Sequence, residues 1–254
     1  MNIYSVTLDF STSSAMKSST KIIRGRRALY IEDSPPKLQL IRVDGKYYHP
    51  DTKTYEQIRD NDILWGKLVI SDDALPLCIE IALIFAGLLL SLLSSPHASL
   101  CPLPLSIIFI VGNVAMHELA HALVLHFFYP AAKIGIGFKF TFIFPTFYVD
   151  TSDSYLLPTY KRMAVYLAGN AANGALLLIV CLGKLRLGGA SDFVLLTMIT
   201  NLAPIMKSDG YYAIAAATKR YNLCQETPRR ILEDCIRGLA ILLISCVVLR
   251  FLIG

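Results

Sequence analysis

Residues 103–128 read LPLSIIFIVGNVAMHELAHALVLHFF, a run with one carboxylate, no lysine or arginine, and three histidines. A helix needs about 20 mostly apolar residues to cross the hydrocarbon core of a bilayer, where no water satisfies backbone N–H and C=O groups. This stretch has the length and lacks the charge. Four others flank it: 76–94, interrupted only by Glu80 near its start, then 163–183, 191–206 and 236–253. The fourth is short and holds Pro204. The reading is an all-α polytopic membrane protein with about five transmembrane helices. Composition agrees: the chain is 54% hydrophobic and 17% charged, against roughly 25% charged in soluble domains, and its mean hydropathy is +0.52.

Two segments break the helical pattern. Residues 1–75 hold most of the acidic charge and are expected to form a cytoplasmic tail and small soluble β-rich module ahead of a membrane domain at 76–254. Within them LQLIRV (38–43) and KYYH (46–49) surround Asp44-Gly45, a strong hairpin signal, while ALYI (28–31) and KLVI (67–70) supply further strands. Residues 1–20 read as a loose tail. The second segment, 134–149, alternates Ile134, Ile136, Phe138, Phe140, Phe142 and Phe144 with Gly135, Gly137, Lys139, Thr141 and Ile143. Period two predicts a strand, hence a membrane-associated β-hairpin or re-entrant element. A sheet edge there is expected to hold an extended substrate by backbone hydrogen bonds.

The chemistry lies in His117-Glu118-Leu119-Ala120-His121. On a helix, positions i and i+4 are about 40° apart around the axis, so both imidazoles share one face and can share one metal. Two histidines and a carboxylate inside an apolar span are costly unless they bind something, which makes function the default reading. Zinc suits such ligands; Glu118 would take a proton from a water whose pKa the metal lowers. His126, His49 and His97 are off this pattern.

A catalytic zinc site needs a third protein ligand. The other polar break in an apolar stretch is Asn201-Leu202-Ala203-Pro204-Ile205-Met206-Lys207-Ser208-Asp209-Gly210. Asp209 is the candidate ligand; the competing reading is a solvated carboxylate at an Asp-Gly turn. Pro204 would break the helix and Gly210 would free the backbone to turn. Asn201 is a candidate for donating its amide to the substrate backbone or the reaction intermediate, against a plain helix-to-helix hydrogen bond. Asn170 and Asn173, in AGNAANG (168–174), read as polar glue between closely packed helices. The six cysteines include no C-x-x-C pair and read as apolar filler.

HELAH (117–121), the N-x-x-P-x-x-x-x-D-G stretch (201–210) and the small-residue helix between them resemble the site-2 protease family of intramembrane zinc metalloproteases. YVDTSDSYLLPTYKR (148–162) and NLAPIMKSDGYYA (201–213) are similar to its bacterial peptide zinc metalloprotease branch, associated with making or exporting modified peptides and bacteriocins. The resemblance covers 104 to about 215. It implies a three-helix core with one zinc per chain, His117, His121 and Asp209 as ligands, and Glu118 as the catalytic glutamate. It also places the site near the cytoplasmic side. The chain departs from the family where Leu202-Ala203 stands in N-P-x-P and Asn170 in A-G-P.

Lysine and arginine placement predicts a cytoplasmic N-terminus and an external C-terminus, with Lys184 and Arg186 dissenting; the resemblance implies a bacterial plasma membrane. The expected partners are the bilayer, a membrane peptide or protein substrate, and a peptide exporter. The net charge of +5 is spread over loops and calls for no nucleic acid. Two other classes compete. A non-proteolytic metal-binding partner or immunity factor would not need Glu118. A proton or metal relay would spread ionisable residues over several spans.

Overall fold

The computed structural model describes residues 19–34, 39–44, 46–93, 102–141, 144–185, 189–203 and 208–218. They fall into two compact units. One runs to Asp73 and includes Tyr155–Pro158; the other takes Ala74–Ser154 and the chain from Thr159.

The first unit is built on five antiparallel strands: β1 (Ser19–Gly25), β2 (Leu29–Ser34), β3 (Gln39–Val43), β4 (Lys46–Tyr48) and β5 (Leu64–Ser71). Their spatial order is β4-β3-β2-β1-β5. The expected Asp-Gly hairpin forms: Val43 pairs with Lys46, and Asp44 has φ of 48°, the left-handed value required at the first position of a type I′ loop. Strand β1 begins where a loose tail was expected to end, at Ser19. Thr20 and Ile22 are buried while Lys21 between them is not, a period-two pattern too short to stand out from the Ser/Thr-rich residues before it. Helix α1 (Thr52–Asp60) covers the sheet through Tyr55, whose ring meets Tyr30 edge-on at 6.0 Å.

The second unit holds α2 (Leu75–Leu93), α3 (Leu103–Phe128), strands β6 (Gly135–Thr141) and β7 (Phe144–Asp150), α4 (Thr159–Leu182), α5 (Gly189–Leu202) and α6 (Asp209–Ala217). Helix α4 is its centre, packed by α2, α3, α5 and α6. Small residues make that possible. A Cβ on Gly87 of α2 would lie 2.5 Å from the carbonyl oxygen of Gly174, and one on Gly174 would lie 2.5 Å from that of Leu83. The two backbones therefore touch, as small residues allow in apolar surroundings. The outer helices expose leucine, isoleucine and phenylalanine, among them Phe85, Leu89, Ile108, Leu123 and Phe127. Water would reject such faces; lipid would not.

An all-α chain with about five spans is not what forms. Among the described residues, three helices are long and apolar enough to cross a membrane, Leu75–Leu93, Pro104–Phe128 and Thr159–Leu182. The expected fourth span is α5, 14 residues long; at about 1.5 Å per residue it falls short of a hydrocarbon core of about 30 Å. The expected fifth, 236–253, lies outside the described residues, as does Pro204. Seven strands in two sheets accompany six α-helices among the described residues, so the chain mixes helix and sheet. The alternating aromatic run does fold as a hairpin, with β6 antiparallel to β7 and Ile136 opposite Val149.

Candidate metal centre

Helix α3 presents His117 and His121 one turn apart, both 6% exposed. Asp209 opens α6, where Ser208 caps the helix by accepting from the Tyr211 amide at 3.2 Å. The expectation that Gly210 frees a turn after Asp209 is corrected here: both residues are helical. Gly210 is needed for room, since a Cβ there would lie 2.1 Å from the carbonyl oxygen of Leu202. That close approach of α6 to the end of α5 brings Asp209 to the histidines.

Three atoms converge. His117 Nε2 lies 3.3 Å from His121 Nε2, and Asp209 Oδ2 lies 3.0 Å from the first and 3.5 Å from the second. Donors arranged tetrahedrally around an ion at 2.0 to 2.1 Å stand about 3.3 Å apart, so the triangle matches the edges of such a site. The group is one that could hold a metal ion.

The surrounding hydrogen bonds test that fit. His121 Nδ1 lies 2.7 Å from the Val165 carbonyl oxygen, so Nδ1–H donates to it and Nε2 keeps its lone pair for a metal. At His117 the amide nitrogen of Asn173 lies 3.2 Å from Nδ1, while Asn173 Oδ1 is buried without a partner among the described residues. Amide orientation is fixed by such networks. With the amide turned over, Nδ1–H donates to Oδ1, the orphaned oxygen is satisfied and Nε2 of His117 is also free to ligate. Asn170 Nδ2 donates to Asp209 Oδ2 at 3.2 Å. The residues present therefore fit a divalent ion held by two neutral imidazoles and one carboxylate.

Gly169 shapes the cradle from α4. A Cβ on it would lie 2.5 Å from His117 Cε1 and Nε2 and 2.6 Å from His121 Nε2. In sequence, Asn170 and Asn173 read as helix glue and Gly169 as a packing residue. The signal that they serve the site was their presence as two amides, three apart, in a mostly apolar helix beside the histidine-bearing one. Glu80 of α2 is buried, although the sequence marked it only as a blemish in an apolar run.

Glu118, next to the first ligand candidate, accepts a hydrogen bond at Oε2 from the Val149 backbone amide of β7 at 3.0 Å. Asn201, near the end of α5, places Nδ2 3.4 Å from His117 Nε2. His117, His121, Asp209 and Asn201 thus lie together, and Glu118 follows His117 directly on the same helix. His126 and His49 do not join them among the described contacts, and His97 lies outside the described residues.

Fold and geometry define a class: apolar helices enclosing a candidate His-His-Asp metal site of the H-E-x-x-H type. The chain is similar to the curated protein "Putative peptide zinc metalloprotease protein YydH" of Bacillus subtilis (strain 168), with 34% identity over 119 residues, 43% of this chain and 46% of that protein. It thus spans about half the length of that relative. This agrees with the likeness to the bacterial peptide zinc metalloprotease branch read from 148–162 and 201–213. No protein-family profile matches the chain, and no solved structure does.

Proposed function

We propose that the chain is a zinc-dependent endopeptidase acting within or beside a bilayer, with His117, His121 and Asp209 as ligands and Glu118 as general base. The observation that carries this is the triangle of ligand atoms, with edges of 3.0, 3.3 and 3.5 Å, adjoining a glutamate held by a strand. Zinc at that point would supply Lewis acidity and an acidified water. The residues do the rest. Val149 fixes one carboxylate oxygen of Glu118, and the other is enough to accept a proton and return it to a leaving amine. Asn201 offers N–H donors beside the ligand atoms, suited to a substrate carbonyl. Asn170 and Asn173 hold Asp209 and His117 in place.

The chemistry suits a peptide or protein already associated with the membrane, and the description of the curated relative as a peptide zinc metalloprotease supports a peptide substrate; maturation of a modified peptide, with an exporter as partner, is our reading of the resemblance in 148–162 and 201–213. The proposed location is a bacterial plasma membrane with the N-terminus and the site toward the cytoplasm. The test is zinc analysis of the detergent-purified full chain with peptide cleavage assays. About one zinc per chain is expected, lost in His121→Ala and Asp209→Ala, retained in Glu118→Gln, with cleavage absent from all three variants. A native chain without zinc in chelator-free buffer ends this reading. Zinc without Glu118-dependent cleavage favours a metal-binding partner instead.

A further inference from the structure

Strand β5 reads LWGKLVIS, and all of it except Ile70 is exposed. Ile63, just before it, is 59% exposed, Trp65 65% and Val69 53%, with Leu64 and Leu68 close behind. Among the described residues the strand ends the sheet, pairing only with β1. A long, apolar, uncovered edge strand is a surface that proteins normally cover or blunt. Most apolar side chains of the first unit obey that rule: Tyr30, Ile31, Ile41 and Tyr55 are at or near zero exposure. The uncovered residues are concentrated on one strand.

We propose that β5 lies on the bilayer surface, in the headgroup zone, and anchors the N-terminal sheet there. Three observations select lipid as the occupant. First, the chain allows little else. Only Asp72, Asp73 and Ala74 separate Ser71 from Leu75, the start of the first helix able to cross a membrane; four steps of about 3.5 Å keep the strand's end within about 14 Å of that helix. Second, the side chains are those of an interface. Trp65 is amphipathic, flanked by leucine, valine and isoleucine, the pairing that collects where hydrocarbon meets water. Third, the charge is complementary to anionic lipid. Lys67 is exposed in β5; Arg24 pairs with Gly66 and Lys21 with Val69 across the ladder. The Arg26 amide donates to the Ile63 carbonyl at 2.9 Å, which sets that exposed arginine beside the strand's entrance. Neither β1 nor β5 contains a carboxylate, and Asp62 just ahead is bound inward to Tyr30 at 2.7 Å. The strand's outer edge, unpaired among the described residues, sets the depth. Its backbone groups need water or headgroup oxygens, so it belongs at headgroup level and not in the hydrocarbon.

This inference rests on α2 crossing the membrane but not on the chemistry of the metal centre. Trp65 is the chain's one tryptophan, so the native full chain reports on this surface without any substitution. The chain is placed in nanodiscs of phosphatidylcholine and phosphatidylglycerol, with lipids brominated near the ester linkage in a matched sample. The expected result is that bromolipid removes most of the tryptophan emission and that aqueous acrylamide removes little of it. Full quenching by acrylamide with none by bromolipid overturns the proposal. So does protection from both, which would mean that protein covers the strand. Alkaline carbonate washing of native membranes is run alongside. Loss of the protein in the wash would remove the membrane reading and this surface with it; retention with a water-exposed Trp65 would remove the surface alone.

Discussion

The backbone N–H of Val149 donates to Oε2 of Glu118 at 3.0 Å, and Val149 stands opposite Ile136 in the hairpin. Strand β7 therefore meets the proposed general base through its main chain. Because this amide points to α3, it is not one of the groups holding β7 to β6. Val149→Pro removes the donor at an edge position, where proline is tolerated. Cleavage is expected to fall by about 100-fold, the order of loss that comes from misplacing a catalytic group, with bound zinc unchanged. Val149→Ala, which keeps the amide, should behave like the native chain. Equal activity in the two variants would show that Glu118 needs no strand to orient it.

Gly169 tests the cradle. A methyl group there would lie 2.5 Å from two ring atoms of His117, nearer than any real contact, and the rings must move. Gly169→Ala is expected to purify as an intact membrane protein that carries little or no zinc. One zinc per chain in that variant would mean that the imidazoles have freedom the geometry denies them.

Asn173 tests the outer layer. Its amide is the partner of His117 Nδ1, and loss of such a partner typically weakens metal binding by about 10- to 100-fold. Asn173→Leu should lose zinc to a competing chelator at correspondingly lower chelator concentration, and Asn170→Leu should do the same through Asp209. Asn201→Leu is expected to spare zinc affinity and lower cleavage, because Asn201 is assigned to the substrate. An Asn173 variant that holds zinc as tightly as the native chain would return that residue to simple packing.

The long elements were legible because their signals are long. The three helices able to span lie within a few residues of their expected ends, and α3 matches the stretch 103–128 at both ends. The hairpins announced themselves through Asp44-Gly45 and the aromatic alternation. Strand β1 and helix α1 were missed because each carries only a few apolar side chains, too few to establish a period. The expected fourth span, 191–206, is matched by α5 as far as Leu202, and its last residues, 204–206, lie outside the described residues. At the site, residue types were readable and supporting roles were not. No letter in a sequence records which backbone amide faces Glu118, or that the space at Gly169 is filled by two imidazoles from another helix.

In the N-terminal sheet, Asp62 accepts from Tyr30 Oη at 2.7 Å and from the backbone amides of Arg27 and Ala28 at 3.1 and 3.3 Å. Burial pushes its carboxyl up, but hydrogen bonds from Tyr30 and from the Arg27, Ala28 and Ile63 amides outweigh it and hold the group below the usual carboxylate range. A lowered folded pKa stabilises the sheet above the unfolded value of about 3.9, and that stabilisation fades as pH falls through the folded value. Hydrogen exchange of the 19–34 segment in the full chain checks this. Asp62→Asn should exchange faster than the native chain near neutrality, with the gap closing in acid. A gap that persists unchanged in acid would exclude the charge as its cause.

The ligand candidates His117 and Asp209 are 92 positions apart, on α3 and α6. A ribosome releases α3, the hairpin and the whole of α4 before it reaches the aspartate. Throughout that interval a nascent chain carries both histidines and Glu118 but only two of the three ligands. The site is completed when α6 docks its first turn against the end of α5, where Gly210 leaves room for it. Order of synthesis therefore leaves the proposed centre one ligand short until the first turn of α6 has been made.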